Sequence, residues 1–228
     1  FLLMMLVVTF GGIFVVSALI GIINNGLEDK LDELRKGRSA VLENDHTVIL
    51  GWTPQIFTII SELVLANESR KSGAAIVVLA DQDKVEMEDA ISERISDTKN
   101  TRVICRSGSP IDLTDLEIAS PHTARSIIVL AEGTDPDTHV IKSVLALTNN
   151  PNRRVEPYHI VTQIRDQKNM DVVKMIGTKD LVQPILTNDL IARVVAQTSR
   201  QSGLSLVYTE LMDFSGDEIY FKQEPSLS

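Results

Sequence analysis

Hydrophobic positions along the chain form two patterns, a long uninterrupted block at the start and short separated runs after it. The block, residues 1–23, contains no Asp, Glu, Lys, Arg or His. As a helix it would extend about 34 Å, enough to cross a bilayer core of roughly 30 Å. The pattern therefore predicts a transmembrane helix over 1–23. Two alternatives are a signal peptide, which would need a basic start, and a buried core helix, which rarely runs this long without a charge.

A charged segment follows the block and is predicted to be a linker over 24–45. Asn24, Asn25 and Gly26 would end the hydrophobic helix, and leucines at helical spacing give 27–39 one narrow apolar stripe. All 22 Lys and Arg residues lie after the block, and four of them follow it closely. By the positive-inside tendency, this predicts an integral membrane protein whose C-terminal domain is cytoplasmic.

From His46 onward, apolar runs alternate with stretches in which apolar residues recur at helical spacing. Such alternation is typical of an α/β protein with a Rossmann-like, doubly wound parallel sheet. Thr53 is predicted as the N-cap of the first helix of this region and Pro54 as its first residue. The predicted strands cover 46–50, 74–81, 102–105, 126–131, 159–166 and 181–185.

Two helical stretches are predicted beyond the sixth strand, over 188–201 and 204–212. The apolar positions of the first are Leu190, Ile191, Val194 and Val195. An amphipathic appendage beyond a complete sheet is a candidate subunit contact. Packing against its own sheet is an equally good explanation.

Composition narrows the class of protein. The chain has 228 residues, 43% of them hydrophobic, and a formal net charge of −9. This balance disfavours a nucleic-acid-binding protein, because phosphate contact needs a basic face. The single cysteine, Cys105, excludes an internal disulfide and is predicted to be a buried packing residue at the end of a strand.

The turn after the first predicted strand only partly matches a dinucleotide-binding loop. The Gly-x-Gly-x-x-Gly fingerprint lets the backbone approach a pyrophosphate, and only its first glycine, Gly51, is present. Thr53 and Ile56 replace the other two, Trp52 adds bulk, and Pro54 removes an N–H donor. Asp81 occupies the place of a ribose-binding carboxylate but also suits a turn. Tight NAD binding is therefore not expected.

Other chemistry is sparse in the sequence. The four histidines lack metal-ligand spacing, and no serine lies in a Gly-x-Ser-x-Gly elbow, so the chain is predicted not to be an enzyme. Asp81, Asp83 and Glu86 form an acidic cluster whose oxygens are suited to a divalent cation such as Ca²⁺. A solvated acidic surface is the alternative for these three residues.

Several segments resemble the CASTOR and POLLUX family of ion channels. They read LEDKLDELRKGRS, HTVILGW, TRVICRSGSP and DLTDLEIASPHTARSIIVLA, and VICRSGSP is the most specific of them. The resemblance extends over nearly the whole chain. It implies a tetrameric cation channel related to potassium channels that are gated by RCK (regulator of K⁺ conductance) domains.

The resemblance also implies a role for each part of the chain. Residues 1–23 would be the pore-lining helix with a hinge at Gly11 and Gly12, 46–186 an RCK-type domain, and 187–228 a crossover helix with the start of a dimerisation region. Implied partners are the bilayer, three identical subunits in a gating ring, and permeating K⁺ or Ca²⁺. The filter would lie upstream of Phe1, because no Thr-Val-Gly-Tyr-Gly sequence occurs here. Candidate ligand-binding residues are Gly51, Trp52, Asp81, Arg106 and Ser107.

Two other classes of protein stay open at this point. One is a membrane-tethered NAD-binding oxidoreductase, which would need a glycine-rich phosphate loop and a proton-transfer residue. The other is a passive, membrane-anchored interaction domain. A second hydrophobic span and a short filter segment upstream would favour the channel over both.

Overall fold

Strands and helices alternate along the chain in the computed structural model, which describes Met5 and residues 10–17, 19–20, 37–70 and 73–215. The elements in chain order are β1 (Thr47–Leu50), α1 (Ile56–Asn67), β2 (Ala74–Ala80), α2 (Lys84–Arg94), β3 (Thr101–Ser107), α3 (Leu113–Ile118), a 3₁₀ turn (Pro121–Thr123), β4 (Ser126–Val129), α4 (Pro136–Thr148), β5 (His159–Ile164), α5 (Gln167–Ile176), β6 (Leu181–Leu186), α6 (Thr187–Arg200) and α7 (Leu204–Met212).

The strands form a six-stranded parallel sheet in the order β3-β2-β1-β4-β5-β6. In β1, Val48 aligns with Val77 of β2 on one side and with Ile127 of β4 on the other. This is the strand order of a Rossmann fold. From β1 the chain adds β2 and β3 on one side of the sheet, and then crosses to the other side to add β4, β5 and β6. The predicted α/β fold with a doubly wound parallel sheet is thus confirmed.

Both faces of the sheet are covered, because successive side chains of a strand point to opposite sides. Val48 and Leu50 pack with residues of α3, α4 and α5, such as Val144. Ile49, between them, packs with α1 and α2 through residues such as Ile60. Burial on both sides explains why these strands read as continuous apolar runs.

The start of α1 differs from its prediction. The helix begins at Ile56 after Gln55, which makes no side-chain capping bond, so Thr53 is not the N-cap and Pro54 is not the first helical residue. The amide of Ile56 donates to the carbonyl of Thr53 at 3.0 Å, which closes a separate turn ahead of the helix.

The last helices lie outside the core. No residue of α6 or α7 is buried by the described part of the chain. β6 is an edge strand, as its Pro184 suggests, and Leu181 and Ile185 on it are exposed. The strand at 181–185 and the helices at 188–201 and 204–212 are confirmed to within a residue or two.

The N-terminal block is described only in part. Residues 10–17 are helical and include Gly11 and Gly12, at which an added Cβ would meet no atom within 4 Å. Within the residues described, no helix is both long and apolar enough to span a bilayer. The remainder of the predicted span over 1–23 and residues 24–36 of the predicted linker lie outside the described residues.

Candidate functional site

A crevice opens at the carboxyl ends of β1 and β4, where the strand order reverses. Ligands of open α/β sheets bind at this kind of switch point. The crevice encloses about 480 Å³ and is lined by the turn 52–55, residues 131–133, Gln163, Arg165 and the start of α6. It is therefore the place where the fold would bind a small molecule.

The turn after β1 brings Trp52 to the wall of this crevice, with Gly51 directly before it. Gly51 has a φ of +97°, and a Cβ added there would lie 3.1 Å from Oε2 of Glu132. The Trp52 ring packs edge-on against Phe57 with 5.6 Å between ring centres, and Arg94 lies 4.1 Å above Phe57. Glycine is needed at position 51 because the backbone is left-handed and a carboxylate approaches it closely.

Glu132 lines the crevice and is a residue that the sequence analysis did not find. Its Oε2 accepts a 2.6 Å hydrogen bond from the Trp52 amide, and its Oε1 lies 3.1 Å from Nε2 of His139. The carboxylate therefore engages a backbone N–H of the turn that binds pyrophosphate in dinucleotide-binding domains. Glu132 lies three residues after the end of β4, and its contact with the turn depends on the pairing of β4 with β1, which no local sequence pattern signals.

The three residues of the predicted acidic cluster have separate surroundings. Among the described residues, no group of three or more His, Cys, Asp or Glu side chains is placed to hold a metal ion. Oδ1 of Asp83 caps α2, accepting from the amides of Val85 and Glu86 at 2.8 and 3.2 Å. Asp81 follows β2 and is exposed, as is Glu86. The structure therefore does not bring Asp81, Asp83 and Glu86 together around one point.

Arg106 and Ser107 lie at the end of β3, away from the crevice. Nε of Arg106 donates to the Ser39 carbonyl at 2.8 Å, and the Ser107 amide donates to the Gly37 carbonyl at 3.3 Å. The Ser107 hydroxyl donates to the Gln82 carbonyl at 2.6 Å. Of the five predicted ligand-binding residues, only Gly51 and Trp52 adjoin the crevice. The polar groups of Arg106 and Ser107 instead hold the segment that precedes the sheet.

A groove of about 550 Å³ lies between α2 and β3, with Cys105 on its wall. Cys105 is fully buried, as predicted. Burial raises the pKa of its thiol to about 12. A thiol with this pKa is not a nucleophile at neutral pH, since the thiolate is the reactive form.

The fold and its crevice define a Rossmann-type domain. The turn after β1 lacks the glycine-rich phosphate loop, and its Trp52 amide is bonded to the carboxylate of Glu132. A family profile described as Castor and Pollux, part of voltage-gated ion channel, matches residues 188–228. The chain is 39% identical over 223 residues to the ion channel CASTOR of Lotus japonicus, covering 96% of this chain and 26% of that protein. It is 36% identical over 220 residues to the ion channel DMI1 of Medicago truncatula, covering 95% of this chain and 24% of that protein.

By sequence, the chain belongs to the CASTOR and POLLUX family of ion channels, as the resemblance predicted. It spans about a quarter of the length of these relatives.

Solved structures overlap the sheet more loosely. The human SLO3 gating ring has a TM-score of 0.49 at 19% identity, over 78% of this chain and 31% of that one. The GsuK RCK domain has a TM-score of 0.46 at 21% identity, over 65% of this chain and 28% of that one. These scores are too low to support a conclusion about function.

Proposed function

We propose that this chain is the gating part of a tetrameric cation channel. Residues 1–23 line the pore, 24–45 connect it to an RCK-type domain over 46–186, and 187–228 begin the contact between subunits. The domain lies on the cytoplasmic side of the membrane. Binding of a divalent cation, with Ca²⁺ as the first candidate, changes the arrangement of the domains and bends the pore helix at Gly11 and Gly12.

The observation that carries this proposal is the attachment of segment 37–45 to the Rossmann domain. Its carbonyl groups at alternate positions accept hydrogen bonds from β3, from Ser120 directly ahead of the 3₁₀ turn, and from the 3₁₀ turn itself. The donors and acceptors are the Ser107 amide to Gly37, Arg106 to Ser39, the Ser120 hydroxyl to Val41 and the Thr123 hydroxyl to Glu43.

Side chains reinforce this attachment. Val41 is 4% exposed and packs in the core beneath α3 and α4. Arg102 of β3 forms a 3.0 Å ion pair with Glu43. Because the segment is fixed along its length, a rotation of the domain displaces residue 37 rather than being absorbed in a loose tether. A displaced residue 37 pulls on the residues that lead to the pore helix.

Assembly into a ring is supported by the apolar surface on the last helices. Leu190, Ile191 and Val195 of α6 are 46, 59 and 62% exposed. Leu206 and Val207 of α7 add to this surface. We propose that a second copy of the chain covers it, since an apolar stripe of this kind is stable only against another surface.

The oxidoreductase alternative has less support. Glu132 lies against the turn that would bind the cofactor phosphates. The full-length relatives are named as ion channels. A passive membrane-anchored domain would not need segment 37–45 to be attached at alternate residues.

The test uses the full-length parent protein in liposomes, with K⁺ and Ca²⁺ flux measured with and without Ca²⁺ on the domain side. We expect flux that changes with Ca²⁺, and a severalfold smaller change in an Arg106→Gln variant, since it loses the bond to Ser39. Arg125→Gln is the matched control, because Arg125 is exposed at the start of β4. Absence of flux from a folded tetramer would overturn the channel proposal, and an Arg106 variant that responds like the unaltered protein would overturn the attachment as its mechanism.

A further inference from the structure

We infer that Glu132 keeps phosphorylated ligands out of the crevice at the switch point. The inference concerns the ligand specificity of this domain and does not depend on whether the parent protein conducts ions.

Backbone amides give the turn after β1 its affinity for anions in Rossmann domains. Glycines let the pyrophosphate come close to these N–H groups, and the helix dipole favours its negative charge. In this chain the Trp52 amide is already bonded to Glu132 at 2.6 Å. The carboxylate is a charged acceptor, and such hydrogen bonds are about twice as strong as neutral ones.

The surroundings hold the Glu132 side chain in this position. It is 19% exposed, and His139 at 3.1 Å contacts its other oxygen. Gly51 leaves space for the carboxylate, since an added Cβ would lie 3.1 Å from Oε2. The carboxylate is thus a built part of the turn rather than a surface side chain that happens to lie over it.

A phosphate entering the crevice would meet this fixed negative charge. Two like charges a few ångströms apart at a protein surface repel each other, because the effective dielectric constant there is well below that of water. The phosphate would also have to displace the bond to Trp52. Arg165 is the sole cation among the described residues that line the crevice, and its side chain is exposed. The crevice therefore excludes phosphoanions, and the ligands that it binds are uncharged or cationic.

Binding of ADP tests this inference, with adenosine as the uncharged comparison, by isothermal titration of the purified full chain and two variants. Glu132→Gln keeps the shape and an acceptor for the Trp52 amide but removes the charge, and Glu132→Ala frees the amide. We expect both variants to bind ADP about tenfold or more tightly than the unaltered chain. Adenosine affinity should change little, because adenosine carries no phosphate.

Asp135→Asn is the matched control, since Asp135 is exposed in the same loop and makes no capping bond to α4. It should leave ADP binding unchanged, which separates the local effect of Glu132 from the general acidity of the chain. Thermal unfolding checks that each variant is folded. The inference is overturned if the unaltered chain binds ADP as tightly as Glu132→Gln does, or if both folded variants fail to bind it.

Discussion

His46 shows how a single buried residue makes the stability of this domain depend on pH. The residue is fully buried just before β1, and its Nε2 donates to the Ala119 carbonyl at 3.0 Å. Nδ1 is buried and has no hydrogen-bond partner within the described residues. Burial lowers the pKa of His46 below its usual 6.5, outweighing the opposing effects of the Ala119 bond and of Glu43. The folded chain therefore holds this imidazole in its neutral form.

The free energy of unfolding should fall as the pH decreases from 6.5, the usual pKa of a histidine, which His46 has in the unfolded chain. In that range the unfolded state takes up a proton at His46 that the folded state refuses, and the loss ends at the lower, folded pKa. Urea unfolding, followed through the single tryptophan, measures this slope. We expect His46→Gln to flatten it and His122→Gln, whose ring is 39% exposed, to leave it intact. A His46→Gln variant with an unchanged slope would contradict the prediction.

Residues of the site were predictable where their role depends on local sequence. Gly51 directly follows an apolar strand, so its place beside the crevice follows from the strand pattern. Glu132 is 81 positions further along the chain than Gly51, and the contact exists only because β4 pairs with β1. Sequence patterns do not specify which strands become neighbours, and so this contact could not be predicted.

The connection between α4 and β5 is held more firmly than its sequence suggests. Asn, Pro and charged residues make 149–157 read as a loose loop. In the structure, the Arg153 guanidinium forms a bidentate ion pair with the Asp180 carboxylate, at 2.8 and 3.1 Å. Asp180 also accepts a hydrogen bond from the Tyr158 amide at 2.7 Å. Arg153 and Arg154 both lie over the Tyr158 ring. The connection is thereby fixed to the start of β6.

Replacing Asp180 with Ala should lower the free energy of unfolding by about 3–5 kcal/mol, the typical effect of breaking a buried ion pair. The Asp180 side chain is fully buried, so its loss leaves the Arg153 charge and the Tyr158 amide unpaired. Asp189→Ala is the control, because its pair with Arg193 is exposed and worth about 0.5 kcal/mol or less. Urea unfolding of the two variants measures both values, and equal losses would show that Asp180 does not hold this connection.

Element boundaries were predictable where burial changes sharply along the chain. The core strands β1 and β2 agree with their apolar runs to within one residue at each end. β3 continues through Arg106 and Ser107, beyond its predicted end at Cys105, because its pairing with β2 continues to Ala80. Polar residues at the end of an edge strand carry no apolar signal, and backbone pairing alone extends the strand.

The exposed apolar surface of α6 and α7 concerns how whole molecules assemble. The strand order, and with it the crevice, forms within one chain. No residue of α6 is buried by the described part of that chain. Its helical periodicity was visible in the sequence, but whether it packs on its own sheet or on another subunit depends on the tertiary fold.

Replacing Val195 with Asp should shift the purified chain towards the monomer, since it places a charge in an apolar contact that would otherwise exclude water. Light scattering coupled to size-exclusion chromatography measures the mass of the species. Val155→Asp is the control, because Val155 is 95% exposed outside this surface. An unchanged oligomer in the Val195 variant would exclude α6 from the contact between copies.

The attachment of segment 37–45 constrains the number of residues in the segment more strictly than the identity of its exposed side chains. The domain donates hydrogen bonds to the carbonyls of Gly37, Ser39, Val41 and Glu43, which are backbone groups at every second residue. Exchanging the exposed side chains between them leaves these acceptors in place. Inserting or deleting one residue shifts the register by about 3.3 Å and turns the alternate carbonyls to the opposite side. The exposed positions 38, 40, 42 and 44 are therefore free to vary, whereas the number of residues in the segment is not.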